Sequence, residues 1–405
     1  MGALSHIRVL DLSRVLAAPW ATQILGDLGA EVIKIEKPGE GDETRHFGPP
    51  FLSNPDGSRA DATYFLAANR NKKSVAIDLA KPEGAAIVRS LSRRAHVVVE
   101  NFKTGALARY GLDYVSLSAD NPALVYCSLT GFGHTGPNKD KAGYDYLIQG
   151  MGGLMSVTGQ PDGTPGAEPM KVGVAVSDLL TGLYTANAIQ AALIHQARTG
   201  EGQEIDMALF DCQAASLANQ AMNYLAGGMK PTRLGNAHPN IVPYQVFATA
   251  DGFLILAVAN DGQFRRFCGA SGLAALADDP RFATNAERVG HRDALVGMLK
   301  PAFLTRSNAE WIAALEAANV PCGPINTVDQ VFAEQQAKAR GLTVSMAHGT
   351  GPLALVASPL RLSKTPPEYR SAPPRLGQHT REVLDELGLT EAEIANLAKS
   401  GAIGL

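Results

Sequence analysis

Cysteine and net charge are both scarce in this sequence of 405 residues, and each scarcity narrows the class of protein. The cysteines, Cys127, Cys212, Cys268 and Cys322, form no CxxC pair, which argues against a zinc site and against a disulfide framework. The 36 basic residues nearly balance the 39 acidic residues, so the chain lacks a bulk positive field for nucleic acid or an anionic membrane. We therefore expect a protein of the reducing cytoplasm.

Long apolar runs are also missing. The most apolar stretch, 172–194, is interrupted by serine, aspartate, threonine and asparagine, which is a poor pattern for a membrane span. We expect no signal peptide, because the first residues lack a basic segment followed by an apolar run. A hydrophobic content of 45% and a charged content of 19% instead predict a folded globular protein with a sizeable core.

Short β-branched runs alternate with helical segments over the first 130 residues. This alternation is typical of βαβ units, so we predict an α/β fold with a Rossmann-like parallel sheet. The predicted strands and helices of this layer are strands at 7–10, 31–35, 97–100 and 124–128, and helices at 19–28 and 82–94.

The pattern changes after residue 244. Alternating residues at 245–249 and 253–259 flank an Asp-Gly turn and predict an antiparallel hairpin, and amphipathic helices follow it. We predict a second, smaller α+β domain here. Near the end of the chain, Thr390 and Glu393 have the spacing of a capping box at the start of a last helix.

A glycine-rich GxGxxG turn after the first strand would indicate dinucleotide binding, and this chain has SRVLAAP at 13–19 instead. A Walker A loop and a GxSxG elbow are missing as well. These absences disfavour a nicotinamide-dependent dehydrogenase despite the α/β pattern. Arg14, beside a helix that begins near a proline, is a candidate anion contact.

Asp178 is a charged residue inside an apolar run at the predicted start of a helix. Two interpretations stay open on the residues alone. Asp178 could be an N-cap that accepts hydrogen bonds from the first-turn amides. Alternatively, its carboxylate could be a nucleophile that forms an acyl anhydride and divides a difficult acyl exchange into easier steps.

Taken together, several segments resemble the class III CoA-transferases, the CaiB/BaiF family that includes formyl-CoA transferase and α-methylacyl-CoA racemase. The resemblance runs nearly end to end, and the ordered set of motifs is far more specific than any single one. The matching segments are 28–36 (LGAEVIKIE), 71–74 (NKKS), 99–102 (VENF), 131–137 (GFGHTGP), the Asp178 segment, 199–203 (TGEGQ), 320–324 (VPCGP) and 376–380 (LGQHT).

The resemblance implies a large Rossmann-like, CoA-binding domain built from both ends of the chain, at 1–200 and 340–405. It also implies a small domain at 225–325, joined by linkers at 201–224 and 326–339. Two such chains are expected to interlace as a homodimer.

The resemblance also assigns residues. It implies that Asp178 is the catalytic carboxylate, with Asp145 and Leu16 beside it, and that acyl transfer passes through an aspartyl anhydride and an aspartyl-CoA thioester. Coenzyme A then enters as an acyl-CoA substrate, with no tightly bound cofactor and no metal. By position, the expected CoA contacts are Val15, Lys37, Lys73, Asn101, Arg109 and Tyr110.

Residues that differ from those of known family branches narrow the range of reactions expected of this chain. Tyr144 occupies the loop where the racemase branch has a catalytic histidine, which disfavours racemisation. Leu16 and Asp145 differ from the residues of formyl-CoA transferase, which disfavours formate and oxalate. The segment 235–247, GNAHPNIVPYQVF, is similar to the branch that moves CoA from succinyl-CoA to glutarate and other short dicarboxylates, a class that includes itaconate.

A dicarboxylate acceptor carries a second carboxylate that needs a partner when buried. We expect Arg45, Arg233 or His238 to meet it, with Tyr144 also contacting the substrate. The alternatives are an acyl-CoA racemase or isomerase of the same fold, a formyl-CoA:oxalate-type transferase, and a CoA-binding protein without catalysis.

Overall fold

The computed structural model describes residues 2–405. The chain divides into two compact units, each assembled from separate stretches. The larger comprises 1–154, 172–227 and 336–405, and the smaller comprises 155–171 and 228–335.

A parallel six-stranded sheet forms the centre of the larger unit, in the order β5-β2-β1-β6-β7-β8. The predicted α/β class with a parallel sheet is thereby confirmed. Its strands are β1 (Arg8–Asp11), β2 (Glu31–Glu36), β5 (Lys72–Ala76), β6 (Val97–Glu100), β7 (Val125–Thr130) and β8 (Gln203–Ala208). Two antiparallel hairpins accompany the sheet, β3 (Phe51–Ser53) with β4 (Arg59–Ala62), and β12 (Thr343–Met346) with β13 (Leu353–Val356).

Helices cover both faces of this sheet. Because successive side chains of a strand point to opposite faces, neighbours such as Val9 and Leu10 belong to different apolar cores. One core packs against the first group of helices, α3 (Pro82–Ser92), α4 (Tyr114–Asp120), α15 (Thr380–Glu386) and α16 (Glu391–Lys399). The other packs against α1 (Ala17–Asp27), α5 (Asp145–Met151), α6 (Val176–Thr199) and α7 (Leu209–Ala215), while α2 (Thr63–Leu66) and α8 (Ala218–Leu225) complete the unit.

The smaller unit has its own core around an antiparallel sheet of β9 (Tyr244–Ala248), β10 (Phe253–Ala257) and β11 (Cys322–Pro324). The predicted hairpin is therefore confirmed. Trp311 is buried here, and its indole Nε1–H donates to the Phe303 carbonyl at 2.9 Å. The helices after β10 are α9 (Asp261–Ser271), α10 (Asn285–Gly290), α11 (Arg292–Phe303), α12 (Asn308–Ala317) and α13 (Val328–Ala333), with α14 (Gln335–Ala339) at the return to the larger unit.

Three features differ from the expectations. Strand β8 and helices α7 and α8 lie in the larger unit rather than in a linker, because β8 pairs with β7 along six residues. Residues 155–171 belong to the smaller unit, where the Gly235 amide donates to the Gly159 carbonyl. The hairpin of β12 and β13 is an element that the sequence patterns did not predict.

Helix α6 was expected to begin at Asp178, and it begins two residues earlier. Its N-cap is Ala175, so Asp178 lies inside the first turn and the N-cap interpretation is wrong. The predicted capping box of the last helix is confirmed, since the Thr390 amide donates to Glu393 Oε2 at 2.7 Å and the Thr390 hydroxyl accepts from the Glu393 amide.

None of the helices found in residues 2–405 combines the length and the low polarity that a bilayer crossing requires.

Candidate active site

A cavity opens in the larger unit where the strand order reverses, between the carboxyl ends of β1 and β6. This is the position at which open parallel sheets bind ligands. The loop after β1 contributes Val15 and Leu16, the loop after β6 contributes Asn101, and Tyr144 and Asp178 come from the segments that begin α5 and α6. Five residues predicted separately from the sequence therefore line one cavity.

The loop that follows β1 has a strained backbone. Val15 has a φ of 69°, in the left-handed region that a β-branched residue rarely adopts. Such a conformation costs on the order of 1 to 3 kcal/mol and persists only where the surroundings fix it. Leu16 then serves as the N-cap of α1, so the positive end of this helix dipole faces the cavity that Leu16 and Ala17 line.

Asn101 fixes the middle of this loop. Its side-chain oxygen accepts from the Arg14 amide at 2.9 Å, and its side-chain nitrogen donates to the Arg14 carbonyl at 2.7 Å. The expected CoA contact at Asn101 therefore has a second task, because its amide group already holds the loop backbone.

Asp145 closes the N-terminus of α6 from outside the helix. Its Oδ1 accepts from the Ser177 amide at 2.8 Å and from the Asp178 amide at 3.2 Å, and its Oδ2 accepts from Gln149 at 2.7 Å. The residue that supplies this cap is itself the first residue of α5, with Tyr144 as the N-cap of that helix. The acceptor missing at Ala175 is thus supplied by Asp145, and the carboxylate of Asp178 is left to face the cavity.

The environment of Asp178 disfavours its charge. Burial and, to a lesser extent, the negative charge of Asp145 together raise the pKa of Asp178 to about 7. The Asp178 carboxyl therefore titrates near neutral pH. Strongly shifted carboxyl groups inside cavities are candidates for catalysis.

A second cavity adjoins the first on the same unit. Arg14, Glu43 and Phe102 line both, and the Arg14 guanidinium pairs with Glu43 and lies 5.0 Å from the centre of the Phe102 ring. The second cavity also contains three of the predicted CoA contacts, Lys37, Arg109 and Tyr110. The first cavity thus contains the nucleophile candidate, and the second, which adjoins it, has a lining of mixed charge that includes Arg14, Lys37 and Arg109.

Lys73 lies elsewhere, in an ion-pair cluster. Its ammonium group contacts Glu31 at 3.0 Å, Glu382 at 2.8 Å and Glu386 at 3.2 Å, and these carboxylates raise its pKa. This cluster gives Lys73 a structural role in the described chain, since three carboxylates already neutralise the charge that was expected to contact a CoA phosphate.

The Arg45 side chain is also buried and already paired with acidic side chains. Its guanidinium binds both oxygens of Glu36, at 2.8 and 2.7 Å, and Asp61 at 2.7 Å, and its face lies 3.7 Å from the Phe65 ring centre. The side chain is 2% exposed. This geometry replaces the predicted substrate contact of Arg45 by a structural role, because its donors are already occupied by buried acceptors.

The remaining two predicted substrate contacts lie in the smaller unit. Arg233 pairs with Asp162, and the His238 ring packs against Tyr244 with 5.3 Å between ring centres. Desolvation and the nearby Arg292 lower the pKa of His238, which favours its neutral form.

Several cations in the first cavity were not predicted from the sequence patterns. Lys103, Lys139 and Lys141 line it, as does Arg14, which the sequence indicated only as a weak anion contact. Lys103 follows the matched VENF segment and the other two follow GFGHTGP, so proximity to those motifs was the signal available.

Comparison with known proteins decides the family. The sequence profile described as CoA-transferase family III matches residues 4–380. The chain belongs to CoA-transferase family III. It is thus an enzyme of the CoA-transferase class, and CoA thioesters are its substrates.

Relatives in family III include the succinate--glutarate CoA-transferase of Agrobacterium fabrum, 55% identical over 96% of this chain and 96% of that protein. The succinyl-CoA:glutarate CoA-transferase of Mus musculus is 44% identical over 100% of this chain and 91% of its own. Among solved structures, a CaiB/BaiF family protein from Brucella suis superposes with a TM-score of 0.84 at 50% identity, covering 95% of this chain and 99% of the other. The fold described above is therefore that of family III.

Proposed function

We propose that this protein transfers CoA from succinyl-CoA to a short dicarboxylic acid, with glutarate as the first acceptor to test and itaconate as a second. The observation that carries the proposal is the buried carboxylate of Asp178 in a cavity lined by Arg14, Lys103 and Lys139. The names of the relatives from A. fabrum and M. musculus support the choice of donor and acceptor.

In the first half of the proposed reaction, the ionised Asp178 carboxylate attacks the thioester carbonyl of succinyl-CoA. A carbon–oxygen bond forms, the carbon–sulfur bond breaks, and CoA leaves as a thiolate. The thiolate then attacks the Asp178 carbonyl carbon of the mixed anhydride, which releases succinate and leaves an aspartyl-CoA thioester.

The second half repeats these steps with the acceptor. The acceptor carboxylate attacks the aspartyl thioester, which forms a second anhydride and again releases the CoA thiolate. Attack of the thiolate on the acceptor carbonyl carbon yields the new acyl-CoA and restores the Asp178 carboxylate.

Burial of Asp178 suits this chemistry for two reasons. A carboxylate with a pKa of about 7 is more basic than an ordinary aspartate, and it is still largely ionised at slightly alkaline pH. A recessed site also limits the access of water, which would hydrolyse an anhydride or a thioester. The positive end of α1 at Leu16 and Ala17 is placed to favour the oxyanions that form at the carbonyl carbons.

CoA would lie along the two adjoining cavities, with its thiol end near Asp178. Lys37, Arg109 and Arg14 in the second cavity supply positive charge for its phosphates, and Tyr110 supplies an aromatic surface. We also propose the exposed Tyr144 of the larger unit as a contact of the acceptor. Arg233 and His238 of the smaller unit stay separate candidates for its distal carboxylate, on the family resemblance alone. Substitution of each should weaken a dicarboxylate acceptor more than a monocarboxylate.

Intact-protein mass spectrometry tests the proposed function directly. The enzyme is incubated with succinyl-CoA alone and then with glutarate, itaconate, oxalate or a monocarboxylate, and the acyl-CoA products are identified. We expect a protein adduct with the mass of a CoA thioester that hydroxylamine removes. Asp178→Asn should lack both the adduct and the product.

Control measurements separate the alternatives. Asp140→Asn is the matched control, because it removes one carboxylate charge from an exposed residue that lines the same cavity, and it should still form the adduct. Exchange of solvent deuterium into the α-carbon of an acyl-CoA without transfer would instead support a racemase or isomerase. A CoA-binding protein without catalysis would be supported by two results together. The parent protein would form no product from any acid, and Asp178→Asn would still bind CoA.

We also propose that the enzyme is a homodimer with interlaced chains. Large apolar side chains are exposed on three helices of the larger unit, an arrangement that soluble monomers rarely show over a wide area. These residues are Tyr146, Leu147 and Met151 on α5, Leu183, Tyr184 and Ile194 on α6, and Met222, Tyr224 and Leu225 on α8. Light scattering behind size exclusion should give twice the chain mass, and a monomer at micromolar concentration would contradict the proposal.

A further inference from the structure

The loop after β1 is held at consecutive backbone groups by side chains from the end of β1, from the segment after β6 and from the segment of β2 and the turn that follows it. Asp11 accepts from the Ser13 amide at 2.9 Å, and Asn101 holds both polar groups of the Arg14 backbone. Two backbone groups then remain, the Ser13 carbonyl and the Val15 amide, and one buried ion pair engages both.

That ion pair joins Lys34 to Asp42. The Lys34 ammonium group lies 2.9 Å from Asp42 Oδ2 and donates to the Ser13 carbonyl at 2.7 Å. The other oxygen, Asp42 Oδ1, accepts from the Val15 amide at 3.2 Å. Both side chains are 0% exposed, so the pair bridges two points of the loop from within the protein.

This bridge matters because it anchors the backbone that leads into Val15. Val15 has its φ of 69° at the N–Cα bond that directly follows the anchored amide, and it lines the cavity that contains Asp178. A valine does not hold this conformation unaided. The Lys34–Asp42 pair contributes to the constraint, since it fixes the carbonyl of Ser13, two residues earlier, and the amide of Val15 itself.

We propose that Lys34 and Asp42 are positioning residues for the transfer reaction, which act by locking the loop 13–16 in its left-handed conformation against the cavity. The proposal rests on the proposed function, because it assumes that this loop borders the reacting groups. Ion pairs this deeply buried often add little to stability compared with apolar residues of the same size, which is consistent with a role in geometry.

The test compares two nearly isosteric changes. Lys34→Met removes the donor to the Ser13 carbonyl. Asp42→Asn keeps the shape and an acceptor for Val15, but turns an amide N–H₂ toward the Lys34 ammonium group and so displaces it. Each variant should lower kcat/KM for succinyl-CoA by about 10- to 100-fold per folded molecule, mainly through kcat, since small misplacements of reacting groups have effects of this size.

Asp27→Asn is the matched control. Asp27 is also buried and also pairs with a basic side chain, Arg70, but its partners, Arg70 and Asn71, lie outside the loop. This variant should lose thermal stability while kcat/KM per folded molecule stays within about twofold of the parent. A purely structural role of Lys34 and Asp42 would give them the same behaviour as Asp27.

Rescue by glycine distinguishes loop positioning from other effects. Glycine adopts a positive φ without strain, so a chain with Val15→Gly depends less on the anchors. The loss caused by Asp42→Asn should therefore be at least about threefold smaller in the Val15→Gly background than in the parent. Equal losses in both backgrounds would overturn the proposal, as would variants of Lys34 and Asp42 that keep parental kcat/KM.

The outcomes also separate this inference from the function on which it rests. A parent enzyme that forms no acyl-CoA from any acid contradicts the proposed function before any variant is compared. An active parent with unaffected variants contradicts the positioning role alone. If Lys34→Met does not fold, Asp42→Asn and its rescue decide the question.

Discussion

Asp145→Asn should move the pH dependence of the enzyme toward acid. The Asp145 carboxylate accepts from the Asp178 amide at 3.2 Å, so its charge lies close to the Asp178 carboxyl and contributes to its raised pKa. Asparagine keeps an oxygen that can accept from the α6 amides but removes the charge. The cap is therefore retained while the repulsion is lost.

The size of the shift can be set by an order-of-magnitude argument, because the Asp145 carboxylate bonds the Asp178 amide and so lies near the Asp178 carboxyl. In general, unit charges about 6 to 8 Å apart interact by about 2 to 3 kcal/mol at an effective dielectric constant of about 20. Asp145 is partly exposed, so solvent screening reduces this to about 1.4 kcal/mol, or about one pKa unit. If the pKa of Asp178 falls from about 7 by one unit, the ionised fraction at pH 6 rises about fivefold.

The assay is the pH profile of kcat/KM for succinyl-CoA between pH 5 and pH 9. Because Asp178 attacks in its ionised form, the acid limb reports its pKa in the free enzyme, and this limb should lie about one unit lower in Asp145→Asn. Asp140→Asn is the control, since Asp140 lines the same cavity but is exposed and does not contribute to the shift at Asp178. An acid limb that stays in place, or moves toward alkaline pH, would refute the reasoning.

Three further predictions concern stability. Because the folded-state pKa of Asp178 is raised from 3.8 to about 7, the unfolded chain loses this proton first as the pH rises, so the cost to folding builds up between about pH 4 and pH 7 and is complete above pH 7. Asp178→Asn should therefore add up to about 4 kcal/mol in urea unfolding at pH 8 and almost nothing at pH 4; an equal gain at both pH values would contradict this. Thr390→Ala should cost about 1 kcal/mol by removing the cap of α16, and an unchanged free energy of unfolding would contradict it. Trp311→Ala should cost about 3 to 5 kcal/mol in the smaller unit and Trp311→Phe clearly less, because phenylalanine keeps part of the aromatic packing; similar losses in both would contradict it.

Local signals in the sequence were sufficient for much of the sheet. Strand β6 and the start of β2 agree with their predicted bounds, since short β-branched runs between polar turns have few alternatives. The Thr390 capping box was equally legible, because its partners are three residues apart. The family resemblance predicted that Asp178 and Leu16 belong to one site, and both line the same cavity.

Contacts across long separations could not be predicted in this way. Lys34 and Lys72 lie in strands that a periodicity argument treats as apolar. Lys72 meets Asp11, 61 positions away, only through the strand order and register, and Lys34 meets Asp42 through the turn that follows β2. The N-cap interpretation of Asp178 stayed open because the helix start was misplaced by two residues, and the true cap comes from Asp145, 32 positions before Ser177. Such pairings depend on the completed fold rather than on any local pattern.

The last stretch of the larger unit has a consequence for synthesis of the protein on the ribosome. Val383, Leu384 and Ile394 fill the same core as Leu10, and Ile403 also forms a bridge to Ile77 beside β5. The nascent chain therefore lacks the part of this core that α15 and α16 supply until nearly the whole polypeptide has emerged, with only α3 and α4 available to cover that sheet face. Productive folding of this enzyme must then wait for translation to finish. During that interval we expect chaperones that bind exposed apolar surfaces to bind the incomplete domain.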